Sequence, residues 1–236
     1  MSATIVLLHG WGLMPGVWAP LQAELQAPTL APALFAGEGS LDDWAAKVLE
    51  EIPDGAVLIG WSLGAMLALA LAARAPQRIA RLVLIAATPR FVKRDDWPHG
   101  LDAETTMAFR ENFRKDPART LERFTALQAL GDAERSSVNA GLRAHLTDPL
   151  QHTSALAHGL RLLEQSDLRG SLPSVSSRCL LIHGEQDALI PVAATQWLAH
   201  RWSGSETCIM PGVGHVPFLS QPAAVATRIK QFIHAN

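Results

Sequence analysis

The sequence predicts an α/β fold, a mostly parallel sheet with flanking helices and an inserted helical lid. Three observations predict it. Five short runs are nearly continuous in apolar residues, as strands covered on both faces are. Helical stretches alternate with them, and β-α-β connections make a parallel sheet. One segment, from about Arg90 to Gly170, breaks the alternation and contains no apolar strand. A chain of 236 residues suits one large domain or a domain with an insertion. The expected division is a core of residues 1–89 and 171–236, with residues 90–170 as the lid.

The elements follow in order. Residues 4–8 form the first strand and 17–26 a helix. A weaker strand candidate at 29–33 has Pro28 and Pro32 against it. Ser40 starts a helix over 41–52. The strand at 56–59 runs through a glycine-flanked turn into an alanine-rich helix over 63–73, and 82–86 is the next strand. In the insertion, helices are expected at 103–114, 117–130, 133–146 and 153–164. Asp116-Pro117 supplies a cap and a first-turn proline for the second, and Gly131 stops it. Strands at 179–183 and 207–210 and helices at 192–201 and 222–234 complete the core. Gln221-Pro222 starts the last helix.

Composition excludes several classes. Apolar residues at 48% against 18% charged rule out a disordered chain. Twenty Lys+Arg against 22 Asp+Glu leave −2, which is no general nucleic-acid footprint. Cys179 and Cys208 cannot staple a fold of this size. They are expected to be buried thiols in strands, in a reduced, cytoplasmic setting. The first 23 residues carry no charge but lack the positive start of a secretory signal. Residues 55–73 are an uncharged stretch long enough to span a bilayer. They divide into a strand, a turn and a helix, so a buried α/β core is expected and no membrane.

Gly60-Trp61-Ser62-Leu63-Gly64 lies between that strand and helix. This is the G-x-S-x-G nucleophile-elbow context, in which a tight turn lifts the serine Oγ clear of the backbone. A serine needs a base, and chain order in this architecture runs Ser, Asp, His. His215, in the Pro211–His215 loop after the last strand, is the expected base. Asp187, just past the strand at 179–183, is the expected acid that orients the imidazole. Glu185 and Asp95 compete for that role. His9-Gly10-Trp11-Gly12 follows the first strand and is a one-residue variation on the HGGG oxyanion turn. Backbone N–H groups of Trp11 and Leu63 are the expected oxyanion donors. His145, His152 and His158 lack the spacing of two ligands on one helix face, so no metal is expected, and the chemistry needs no cofactor.

These residues resemble the α/β-hydrolase family, over nearly the whole chain. More narrowly, Leu7–Gly12, Gly60–Gly64, Arg123–Gln128, Asp187 and Gly214-His215 are similar to the esterases that act on pimeloyl-acyl-carrier-protein methyl ester in biotin synthesis. The resemblance implies a serine carboxylesterase, and substrate contact by Phe124, Thr125, Ala126, Leu127 and Gln128 under the lid. It also implies an acidic acyl carrier protein as partner, with small-molecule esters as further substrates. Two departures stand out. The first strand begins almost at residue 1, without the antiparallel hairpin usual before it, and Ala65 stands where a second glycine is common. Rival readings are a broad short-chain carboxylesterase, a carbon–carbon hydrolase or lyase with the same triad, and a non-catalytic ligand receptor.

Helix geometry bears on the lid independently. At 100° per residue, Leu121, Phe124 and Gln128 share one face of the helix at 117–130, and Arg119 and Arg123 point away. From Arg110 to Arg143 there are seven Lys/Arg and five Asp/Glu, a net +2 in a chain of −2. Arg119, Arg123, Arg135 and Arg143 are the candidates for steering an acidic carrier. A monomer is the default expectation.

Overall fold

The computed structural model describes residues 3–235. Its strands are β1 (Ile5–Leu8), β2 (Thr29–Leu30), β3 (Ala56–Trp61), β4 (Ile79–Ile85), β5 (Arg178–Gly184) and β6 (Ser205–Met210). They form one sheet, parallel throughout, in the order β2-β1-β3-β4-β5-β6. The pleat divides the apolar runs between two cores. Ile5, Leu7, Val57, Ile59, Val83, Ile85, Leu180 and Ile182 face one way. Val6, Leu8, Leu58, Leu82, Leu84, Cys179 and Leu181 face the other.

The helices before the insertion are α1 (Ala19–Leu25), α2 (Leu41–Glu51) and α3 (Leu63–Arg74). Ser40 and Asp43 form a capping box at the start of α2. Every residue of α3 from Leu63 to Ala72 is buried, because α3 packs between β3, β4 and α2. Among the described residues no helix is long and apolar enough to cross a membrane. The insertion holds α4 (Ala103–Lys115), α5 (Pro117–Gln128), α6 (Arg135–Arg143) and α7 (Pro149–Gln165). After it come α8 (Val192–Arg201), α9 (Pro217–Ser220) and α10 (Pro222–His234).

Several expected boundaries move for physical reasons. The helix expected at 17–26 is a 3₁₀ turn, Pro15–Trp18, followed by α1, whose first turn holds Pro20, where a missing N–H is harmless. β2 shrinks to two residues between prolines that cannot donate to a ladder. α6 starts late because Asp132 first accepts the Glu134 N–H at 2.8 Å. α7 starts early, because Asp148 caps it through Leu150 N–H and Pro149 fits its first turn. Cys179 is buried as expected, but Cys208 is only half-buried, because β6 is an edge strand.

Candidate active site

The turns that carry the expected chemistry all leave the carboxyl ends of strands, where open parallel sheets form their sites. Between β3 and α3, Ser62 has φ 55° and ψ −119°. That conformation is strained for a side-chain-bearing residue and is held by its surroundings. Its N–H donates to Ile85 O at 3.1 Å, and its carbonyl accepts from Ala65 and Met66 N–H. A Cβ on Gly60 would lie 2.4 Å from Gly64 O, and one on Gly64 2.0 Å from Leu8 O. Both positions therefore require glycine. Leu63 opens α3, so its N–H has no acceptor within the helix.

The turn after β1 lies against this elbow. A Cβ on Gly10 would be 3.4 Å from Ser62 Cβ. His9 is buried, with Nδ1 2.9 Å from Gly10 O and Nε2 accepting the Leu34 N–H at 3.0 Å. Burial pushes its pKa down to about 4, against the smaller raising effect of the Gly10 bond. The unfolded chain therefore takes up this proton first, near pH 6.5, and the folded one only near pH 4. Stability is full above pH 6.5 and falls as pH drops from 6.5 towards 4, by about 3 kcal/mol from His9. Buried His183, whose pKa is also lowered, adds in the same direction. Urea midpoints at pH 7 and pH 5 should differ less in His9→Gln than in the parent chain; equal pH slopes would contradict this account.

Trp11 ties the same turn to the insertion. Its indole N–H donates to Leu156 O of α7 at 2.8 Å. Its ring meets Phe109, Phe113 and Phe124 edge-on, at 5.6, 5.6 and 5.2 Å between centroids. A cavity of about 40 Å³ lies beside this cluster, lined by Phe109, Phe124, Leu127, Leu160, Leu163 and Leu189. Another, of about 20 Å³, touches Gly10, Trp11, Phe35, Leu63 and Leu156.

Asp187 and His215 meet in the buried interior. Nδ1 of His215 is 2.7 Å from Asp187 Oδ2, with side chains 1% and 0% exposed. Asp187 Oδ1 accepts the N–H groups of Leu189 and Ile190 at 2.8 and 3.0 Å. Burial alone would raise the Asp187 pKa, but His215, His183 and the Ile190 N–H together hold it below the ordinary carboxylate value. Nε2 of His215 is buried without a hydrogen-bond partner among the described residues. The pair thus offers one anchored nitrogen and one free basic nitrogen.

The histidine loop is clamped from several sides. Trp61 donates its indole N–H to His215 O at 2.9 Å. Asp132, between α5 and α6, accepts Gly214 N–H at 2.7 Å through Oδ2 and Ser220 Oγ–H at 2.8 Å through Oδ1. Ala133 N–H donates to Gly212 O at 2.9 Å. Asp132→Ala leaves the Gly214 N–H without its buried acceptor, so a loss of about 1–3 kcal/mol in stability is expected. The folded fraction should also show a lower kcat. Chemical denaturation and turnover check both, and an unchanged kcat in folded protein would separate Asp132 from the histidine's placement.

The model of the alpha/beta hydrolase family matches residues 5–228. The chain belongs to the α/β-hydrolase family. This hydrolase is 45% identical to a pimeloyl-[acyl-carrier protein] methyl ester esterase of Aromatoleum aromaticum, over 97% of each chain. It is 38% identical to one of Nitrosomonas europaea, over 92% of this chain and 90% of the relative. Among solved structures it resembles an enol-lactonase from Burkholderia xenovorans (TM-score 0.84, 20% identity, covering 100% of this chain and 92% of the other). It also resembles an esterase from Exiguobacterium antarcticum (TM-score 0.83, 19% identity, covering 99% and 92%).

The remaining expected residues of the hydrolase divide. Phe124, Thr125 and Gln128 are buried, and Ala126 and Leu127 half-buried, while Leu121 joins the core as expected. The Thr125 hydroxyl is turned into its own helix, on Glu122 O at 2.8 Å. Gln128 is 1% exposed, and neither polar atom of its amide has a partner among the described residues. Arg119, Arg123, Arg135 and Arg143 are all exposed. Arg143 pairs with Glu122 at 3.3 Å, and the other three have no ion-pair partner among the described residues. Glu185 and Asp95, the rival acids, are exposed. Sequence reasoning missed Asp132 and His183, and missed Trp61 as a brace for His215. Asp132 and Trp61 act across 82 and 154 residues, and no sequence pattern marks the role of His183, though it lies four residues before Asp187.

Proposed function

We propose that this hydrolase is a serine carboxylesterase that converts pimeloyl-acyl carrier protein methyl ester to pimeloyl-acyl carrier protein and methanol in biotin synthesis. The observation that carries the reading is the anchored Asp187–His215 pair, whose loop is held by Trp61, the residue before a strained elbow serine, in a chain 45% identical to a protein of that name. In this reading His215 Nε2 takes the Ser62 proton as Oγ attacks the ester carbonyl. The N–H groups of Trp11 and Leu63 hold the oxyanion. His215 then protonates the departing methanol. Water, activated by the same nitrogen, attacks the acyl-enzyme and frees Ser62. Asp187 keeps the imidazole hydrogen on Nδ1 throughout.

Residues 90–170 act as a lid over the acyl chain, with Phe124 and Leu127 at the apolar cavity and Gln128 as a polar contact for bound substrate. Exposed Arg119, Arg123 and Arg135, with Arg143 behind its Glu122 pair, form the face for an acidic carrier. The cytoplasmic setting of this reading rests on the two cysteines, which are free thiols as a reducing compartment would keep them.

The test is incubation with the carrier-bound methyl ester and, in parallel, with short-chain esters, followed by mass loss of methyl. Rapid loss on the carrier substrate is expected. Hydrolysis of short esters alone would overturn the substrate assignment, and inertness toward both would favour the lyase or receptor readings. Charge reversal at Arg119 and Arg123 should lower kcat/KM on the carrier substrate by about tenfold at low salt and leave a short ester unaffected. Equal losses on both would remove the carrier face.

A further inference from the structure

A second histidine touches Asp187. His183 lies near the end of β5, and its side chain is 0% exposed. Its Nε2 is 2.8 Å from Ile190 O and 3.4 Å from Asp187 Oδ2, the oxygen that His215 engages. Its Nδ1 is 2.7 Å from the Thr195 hydroxyl on α8. Both neighbours of Nε2 are acceptors, so that nitrogen carries the hydrogen. Nδ1 is then a bare acceptor, and Thr195 donates to it. The ring is neutral with both nitrogens satisfied, which suits its burial.

The contacts close a small circuit. The Ile190 carbonyl accepts from His183, while the Ile190 N–H donates to Asp187 Oδ1 at 3.0 Å. The neighbouring strand residues Leu181 and Ile182 and the register partner Ile209 are all apolar. Among these apolar neighbours the imidazole is the polar group, and both of its nitrogens are engaged.

We infer that His183 is a positioning residue for Asp187, fixing the acid loop through the Ile190 carbonyl and setting the positive edge of its Nε2–H 3.4 Å from the oxygen that His215 engages. The inference rests on the triad reading above. The ionisable groups facing His183 are Asp187 and His215; Thr195 on α8, Ala87 after β4 and Ile209 on β6 bring no charge. The His183 N–H offsets part of the carboxylate's field. Without it, Asp187 holds the imidazolium form of His215 more strongly and is less well oriented.

The test measures kcat, KM and the pH profile of kcat/KM on p-nitrophenyl butyrate, for the parent chain and for His183→Phe, His183→Gln and Thr195→Val. Phenylalanine keeps the ring volume and removes both nitrogens. It is expected to lower kcat about tenfold, well short of the ~10⁴ that loss of the triad acid's role costs, with KM within about twofold. The acid limb should move to higher pH by roughly half a unit. Glutamine, which keeps an N–H donor, should recover most of both effects, and Thr195→Val should give a weaker shift of the same sign. A fall in kcat without movement of the limb, or glutamine no better than phenylalanine, overturns the inference. If the phenylalanine variant does not fold, Thr195→Val decides, and a parent-like profile there also overturns it. A parent chain without Ser62-dependent esterase activity would instead remove the triad reading.

Discussion

Ser62→Ala is expected to lower kcat for ester hydrolysis by about 10⁶ while leaving the fold intact. In the proposed mechanism the hydroxyl oxygen forms the acyl bond, and no other nucleophile stands on the elbow. The strain at φ 55° is a property of the turn and remains in the variant. The glycines that permit the turn also remain, so the melting temperature should stay close to that of the parent chain. Single-turnover measurements with quenched samples and intact-mass detection check the kinetic half, and thermal melts check the other. The parent should accumulate, or be trapped as, a covalent adduct on Ser62 with a fluorophosphonate, and the variant should not. A variant that keeps more than a thousandth of the parent rate would mean that another group attacks the ester.

Asp187→Asn should cost about 10⁴ in kcat, and the structure gives the reason. Oδ1 of Asp187 accepts two backbone N–H groups, from Leu189 and Ile190. An asparagine must keep its carbonyl oxygen in that position, since its NH₂ cannot accept them. The NH₂ is then presented to His215 Nδ1. That nitrogen is forced to accept, and the ring hydrogen moves to Nε2, the nitrogen that takes the Ser62 proton in the proposed mechanism. The same NH₂ also meets the Nε2–H of His183. NMR of the ring nitrogens would report the tautomer change directly. A variant with the hydrogen still on Nδ1, or with kcat within tenfold of the parent, would refute this account.

Much of this was legible in the sequence, for identifiable reasons. The apolar runs 4–8, 56–59, 82–86 and 179–183 belong to strands buried on both faces, so their pattern reflects burial rather than local propensity. The helices Val192–Arg201 and Pro222–His234 fall where residues 192–201 and 222–234 were expected, and the second is marked by Gln221-Pro222. Ser62 announces itself because Gly60 and Gly64 are sterically required. What was not legible depends on contacts between distant segments. Nothing near Asp132 says that its carboxylate will meet Gly214, 82 residues away. Nothing near His183 points to Thr195 on the following helix. Half-buried Cys208 has the same origin. Its burial is set by a strand's position at the sheet edge, whereas the late start of the 133–146 helix is local, Asp132 accepting the Glu134 N–H.

The inserted helices hold Trp11 in an aromatic socket, and the segment after α5 is hydrogen-bonded to the histidine loop. The insertion therefore cannot be exchanged as a free-standing cassette. A graft from another hydrolase would bring its own side chains but lose the partners of Trp11 and of the loop that carries His215. Divergence in substrate choice should then proceed by replacing side chains within the existing insertion. Wholesale exchange would demand matched changes at Trp11 and Gly214, on the far side of the seam.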